Sequence, residues 1–190
     1  MKLYTEKQFT LPTIEGLSEK QIDVHLKLYA GYVKHTNLIQ EQIASLKEAK
    51  TSQYVIDELR RRFAFEFDGM RMHEYYFEQL EGGEKEAADS FKEIVSEKYG
   101  SFDNFLTHIK EVGGTRGIGW IVVSHDSKEN QIHTTFVADH EIGQLAGTKI
   151  LCAIDVWEHA FMVDYVPAEK GAYLDVILKN MNWEVVSKRL

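Results

Sequence analysis

Apolar positions in the first part of the chain recur at helical spacing. Ile22, His25, Tyr29 and Tyr32 repeat every three or four residues, with Leu26 and Leu28 beside them, which predicts a helix from Glu19 to Lys47. Ser18, followed three residues later by Gln21, reads as a capping box at its start. A second helix is predicted from Thr51 to Leu80, carrying Tyr54, Leu59, Phe63, Met70, His73, Phe77 and Leu80. The short join makes the pair an antiparallel hairpin. Residues 1–16, punctuated by Pro12 and Gly16, read as an extended lead-in.

The polar stretch Glu81-Gly82-Gly83-Glu84-Lys85-Glu86 is the best candidate linker, and it divides the chain into residues 1–83 and 84–190. Beyond it, Ala87 to Tyr99 predicts a helix stopped by Gly100, and Ser101 caps another from Phe102 to Val112, ended by Gly113-Gly114. The period then changes. Gly119 to His125 and Gln131 to Val137 predict two strands around the turn at 126–130, and Lys149 to Ile154 predicts a third. Val163 to Met181 returns to helical character. The expected fold is α+β: an N-terminal antiparallel α-hairpin, then an α/β domain with a small three-stranded antiparallel sheet.

Composition narrows the function. Apolar residues make up 44% and charged residues 27% of 190, which is ordinary for a globular protein with a core. Thirty acidic against 22 basic side chains give a net charge of −8, which argues against nucleic-acid binding. The apolar runs fall short of the ~20 residues of a membrane-spanning helix. Cys152 is the single cysteine and sits in an apolar run, so a buried, inert thiol is expected. Met1 to Thr10 carries Lys2, Glu6 and Lys7 and no apolar core, so no secretory leader is expected and a reducing cytoplasm fits.

Asp155 and His159 stand four residues apart, straight after a strand-like run. A carboxylate and an imidazole so placed make half of a transition-metal site, or equally a solvated pair at a helix start. His25 and His73 lie on the apolar faces of the two hairpin helices. A histidine so placed is ordinarily a hydrogen-bonded core residue. Two on facing helices, with an Asp–His pair elsewhere, favour a metal, because burying all four without one leaves polar atoms to satisfy.

Asp155-Val156-Trp157-Glu158-His159-Ala160-Phe161 resembles the Asp-x-Trp-Glu-His-Ala-aromatic signature of the iron/manganese superoxide dismutases. The resemblance covers nearly the whole chain: Ser18 to His25, His73-Glu74-Tyr75-Tyr76-Phe77, Gly117-Ile118-Gly119-Trp120 and Asn182-Trp183 are similar to further segments of that family. It implies that His25, His73, Asp155 and His159 hold one Fe or Mn ion per chain, with iron favoured, between the two domains. It also implies disproportionation of superoxide by an antioxidant enzyme, and a homodimer. His140, fifteen residues before Asp155, takes the place of the residue beside the metal-bound solvent, with Gly69 at the alternative position. Trp120 and Trp157 are expected to wall the site, and Glu158 to reach the partner chain.

The chain departs from the family at the gateway. A histidine four residues after the first ligand is Tyr29 here, and a tyrosine eight after it is Val33. Tyr32, seven after, returns to within about 20° of the azimuth of His25, so either Tyr29 or Tyr32 can take the gateway role. Met162 stands where the family has a tyrosine. These changes support a second expectation, a metal-binding homologue with little turnover that serves a structural or metal-sequestering purpose. His35, His108, His125 and His133 read as surface or structural residues. Lys27, Lys34, Arg71 and Lys170 are candidate sources of a positive field for an anionic substrate.

Overall fold

A computed structural model describes residues 2–190; Met1, the first residue of the predicted lead-in, lies outside the described residues. Helix α1 runs Glu19–Glu48 and α2 runs Gln53–Glu78, packed together as the hairpin that the periodicity predicts. Thr51 does not open α2 as expected. Its backbone N–H and hydroxyl both donate to the carbonyl of Leu46 and close the end of α1 instead. Tyr54 is 73% exposed and belongs to the solvent face, so it is not one of the packing positions. The lead-in is extended and is pinned to the hairpin: Tyr4 N–H donates to Asn37 Oδ1, Lys7 N–H to Tyr29 Oη and Thr10 N–H to Glu81 Oε1.

Two short helices follow, α3 (Asp89–Tyr99) and α4 (Phe102–Gly113), the latter capped by Ser101 as its sequence suggests. Strands β1 (Gly119–Asp126), β2 (Gln131–Ala138) and β3 (Lys149–Asp155) form one antiparallel sheet in the order β2-β1-β3. The register sets Trp120 opposite Asp155. Gly119 opens β1 at φ 152°, and a Cβ there would lie 2.1 Å from the carbonyl oxygen of Val137, so only glycine fits this start.

The predicted helix over 163–181 is shorter than expected. Residues 163–166 are irregular, Pro167–Glu169 form a 3-10 turn, and α5 runs Lys170–Asn180. Val163 N–H and Tyr165 Oη are committed to Gln21 Oε1 and the carbonyl of Gly16, and Pro167 has no N–H to donate. A last helix, α6 (Trp183–Ser187), has no counterpart among the predicted elements. Asn182 caps it and also donates to the carbonyl of Glu81, tying the chain's end to the glycine turn at 82–83. One continuous apolar core runs from Tyr29 and Phe77 of the hairpin to Trp120, Ile154, Tyr173 and Trp183 beyond it. No described helix is long and apolar enough to cross a membrane.

Candidate metal centre

Four elements converge on one point. His25 comes from the second turn of α1, His73 from the last turns of α2, Asp155 from the end of β3, and His159 from the 3-10 turn Glu158–Ala160 just after it. Side-chain bonds between these elements hold them there. Gln79, at the end of α2, donates to the carbonyl of Ala153 (2.6 Å) and accepts its N–H (3.3 Å), which clamps α2 to β3. Gln21 donates to the carbonyl of His159 (2.7 Å) and accepts from Val163 N–H, which clamps the start of α1 to the loop after β3. The capping box is therefore only half made: Ser18 accepts from Gln21 N–H, while the Gln21 side chain turns inward to the site. From α5, Tyr173 Oη donates to the carbonyl of Asp155 (2.8 Å) and pairs with Tyr76 Oη (3.2 Å).

The result is a compact donor set. One ligand atom from each of His25, His73, Asp155 and His159 lies within 4.8 Å of all the others. Asp155 Oδ2 is 3.0 Å from His25 Nε2, 3.1 Å from His159 Nε2 and 3.6 Å from His73 Nε2. The other carboxylate oxygen accepts Trp157 N–H at 2.8 Å, which fixes the orientation of the group. His25, His73 and Asp155 are fully buried, and the side chain of His159 is 18% exposed.

Burial alone raises a carboxyl pKa, but the imidazoles of His159 and His25 outweigh it and hold Asp155 well below the usual carboxylate range. Burial keeps His25 below the usual histidine range and His73 further below it, with the neighbouring His25 adding to the effect on His73. An anionic oxygen thus faces the imidazoles of His25 and His73, which burial keeps neutral.

That set fits a metal ion on a particular ground. His73 Nδ1 donates to the carbonyl of Gly69 at 2.6 Å, which leaves Nε2 as a bare lone pair. This buried Nε2 has no hydrogen-bond partner, and it faces the anionic Oδ2. Two acceptors so placed repel each other unless a cation lies between them. Three imidazoles and one carboxylate are donors for a first-row transition ion.

The remaining predicted residues fall into two groups. Trp120 is buried and donates from Nε1 to His140 Nδ1 at 2.9 Å. His140 Nε2 lies 2.7 Å from Tyr32 Oη, and Trp157 stacks on His140 with ring centroids 4.7 Å apart. Tyr32, His140, Trp120 and Trp157 therefore stand together over His73 and His159. Tyr29 does not join them. Its hydroxyl accepts Lys7 N–H and donates to Glu74 Oε1, away from His140. Val33 is buried in the core, and Glu158 and Met162 are exposed beside the site. Gly69 is buried, and its role is spatial: a Cβ there would lie 2.6 Å from the ring of Tyr32. Burial holds His140 down at about 4, so its ring is neutral.

Sequence reasoning missed Gln21, Gln79, Arg62, Phe65 and Glu66. Gln21 precedes His25 by one turn on the same face, a weak signal that the capping motif hid. Of the cations expected to supply a positive field, only Lys27 lines the cleft above Tyr32; Arg71 pairs with Glu74, and Lys170 donates to the carbonyl of Thr115. His35 is exposed, and His108, His125 and His133 are half-buried away from the donor set. Cys152 is buried, with its thiol pushed up to about 12 by that burial.

Comparison with known proteins agrees with this geometry. The sequence profile described as iron/manganese superoxide dismutases, C-terminal domain, matches residues 87–189. An iron superoxide dismutase of Aquifex pyrophilus is 31% identical over 99% of this chain and 91% of its own length. Another from Cupriavidus metallidurans is 30% identical over 93% and 89%. A manganese superoxide dismutase of Haloferax volcanii is 28% identical over 85% and 80%. With the profile covering more than half of its length and such relatives matching nearly all of it, the chain belongs to the iron/manganese superoxide dismutase family.

Proposed function

We propose that this protein is a superoxide dismutase in which His25, His73, Asp155 and His159 hold one redox-active iron or manganese ion. The observation that carries the proposal is the buried, unpartnered Nε2 of His73 facing the ionised Asp155 inside a four-residue donor set. Iron is favoured, because relatives at 30% identity or above are named iron enzymes. When bound, the ion supplies one-electron chemistry, oxidising one superoxide to oxygen and reducing a second to peroxide.

The chain's own part is to bind, to exclude water and to supply protons. Trp120 and Trp157 wall the donor set, and their indole N–H groups are used on His140 and on the carbonyl of Asp139. Trp120 can only donate, so His140 Nδ1 accepts and its Nε2 carries the ring hydrogen. His140 therefore donates to the oxygen of Tyr32, and the hydroxyl hydrogen of Tyr32 is left free. Burial, with the charges of Asp155 and Glu66 adding to it, keeps this phenol protonated at neutral pH. Tyr32 is thus the proton donor at the gateway, with His140 as its orienting partner. Tyr29 serves the packing of the opposite side.

Glu158, with Met162 45% and Val163 40% exposed near it, is the segment we assign to a homodimer interface. The break at the glycine turn divides the chain into a helical hairpin domain, residues 1–83, and an α+β domain, residues 84–190, with the metal site between them. A lone buried thiol suits a reducing compartment such as the cytoplasm.

The departures at Tyr29, Val33 and Met162 favour a second reading, a metal-binding homologue with little turnover. One assay separates the two: superoxide consumption by the metal-loaded protein. The proposal expects a rate far above that of the free ion at equal concentration; a rate equal to that of the free ion gives the second reading.

A further inference from the structure

The mouth of the donor set carries a charge arrangement that the ligands do not explain. A cleft of about 330 Å3 opens between α1 and α2, lined among others by Lys27, Tyr32, Arg62, Phe65, Glu66 and Trp157. It adjoins the site directly. Tyr32 is bonded to His140, the ring of Phe65 lies 4.5 Å from that of His140, and the ring of Trp157 lies 5.6 Å from that of His159.

Arg62 is fixed in this cleft at two points. Its guanidinium carbon sits 3.7 Å over the ring of Phe65, and its Nε and Nη2 donate to Glu66 Oε1 at 2.8 and 2.7 Å. The two partners differ in exposure: the side chain of Arg62 is 50% exposed and that of Glu66 only 7%. The carboxylate is sheathed in protein while the cation faces the cleft. Lys27 adds a second cation on the opposite wall. The cleft thus shows positive charge to solvent on a protein whose net charge is −8. The charge of Arg62 also reaches the ring of His140, where it opposes protonation, and the hydroxyl of Tyr32, where the opposing charge of Glu66 outweighs it.

We propose that Arg62, presented by Glu66 and Phe65, is a positioning residue that draws a small monoanion into this cleft, with Lys27 in a lesser part. The anion is the superoxide of the preceding section, and the inference rests on that reading. A fixed charge at the neck of a low-dielectric cleft concentrates anions there, and salt screens the effect over about 8 Å at physiological ionic strength. Charge reversal elsewhere on the surface lacks this leverage.

The test uses metal-loaded wild type, Arg62→Gln, Arg62→Lys, Glu66→Gln and, as a control outside the cleft, Lys110→Gln. The second-order rate with superoxide is measured against ionic strength, and azide is titrated as a probe monoanion by visible absorption. Arg62→Gln is expected to lower the low-salt rate and weaken azide roughly two- to fivefold, and to flatten the salt dependence. Arg62→Lys restores most of both, Glu66→Gln tightens azide, and Lys110→Gln matches wild type. The proposal is overturned if Arg62→Gln keeps the wild-type salt slope, if Arg62→Lys is as impaired as Arg62→Gln, or if Glu66→Gln weakens azide too. A wild type that binds azide without consuming superoxide sinks the dismutase reading instead, and the azide arm still decides the role of Arg62.

Discussion

Tyr29 and Tyr32 stand less than one turn apart on α1, and both rings approach His73, yet their hydroxyls enter different networks. Tyr29 is 1% exposed, packs between Phe9 and Phe77, and ends on Glu74, which Arg71 and Lys7 neutralise. Tyr32 is half-buried at the cleft and ends on His140. The Tyr29 side is closed by the extended lead-in; the Tyr32 side is the route that we propose for an anion and a proton to the donor set. Two tyrosines on one helix therefore do different work, and their neighbours decide which: Gly69 gives Tyr32 room, while Lys7 and Glu74 occupy Tyr29.

The sharpest test of that difference is Gly69→Ala. A helix-interior glycine replaced by alanine gains roughly 1 kcal/mol from propensity alone. Here the new methyl group meets the ring of Tyr32 at 2.6 Å and must push it off His140. We expect net destabilisation of about 1–3 kcal/mol by urea unfolding, with turnover reduced by more than tenfold at unchanged metal content. A more stable and fully active variant would mean that Tyr32 is not confined.

Removing the hydroxyls separately is the next largest effect. Tyr32→Phe should cut turnover roughly tenfold or more, as loss of a positioned proton donor does, with melting temperature and metal content kept. Tyr29→Phe should leave turnover near wild type and lower stability by about 1 kcal/mol, since Glu74 loses a buried partner. Steady-state kinetics beside thermal melts reads both, and reversed outcomes would exchange the two roles.

The smallest effect concerns pH. Burial holds His140 near 4, below the ordinary value near 6.5, so the unfolded chain takes up its proton first as pH falls. Its contribution to stability is intact above about pH 6.5 and is lost progressively toward pH 4. In metal-free protein, His140→Gln should weaken the drop in unfolding free energy between pH 7 and pH 5 by on the order of 1–2 kcal/mol. His25 and His73 act in the same direction, so the change in slope is the readout, not the slope itself. An unchanged slope would place His140 outside the buried network.

The sequence made some of this legible and not the rest, for physical reasons. The hairpin shows because each of its helices buries one face, and a one-sided burial leaves a period in the chain; β1 and β3 are buried on both faces and show instead as short apolar runs bounded by turn residues. The donor set shows because Asp155 and His159 are local and their motif is specific. The choice between Tyr29 and Tyr32 did not show. Their azimuths differ by only about 60°, and α2 and the lead-in, not α1, decide what each meets. Gln21 was hidden because its position suits a cap as well as an inward clamp. Arg62 and Glu66 stand four apart on α2, a spacing that carries no signal of a site. Only the folded cleft reveals that one is exposed there and the other sheathed. The irregular stretch at 163–166 kept apolar residues at helical spacing, while its backbone N–H groups at Val163 and Val166 went to the side chains of Gln21 and Glu169.

The central claim is that four side chains from α1, α2, β3 and the turn after it share one ion. Anomalous diffraction from crystals of the metal-loaded protein, collected at the iron or manganese edge, tests it without any substitution. The account predicts a single strong peak per chain, within coordinating distance of His25 Nε2, His73 Nε2, His159 Nε2 and Asp155 Oδ2. A peak at any other place in the chain, or full metal content with no ordered peak among these four atoms, would contradict it.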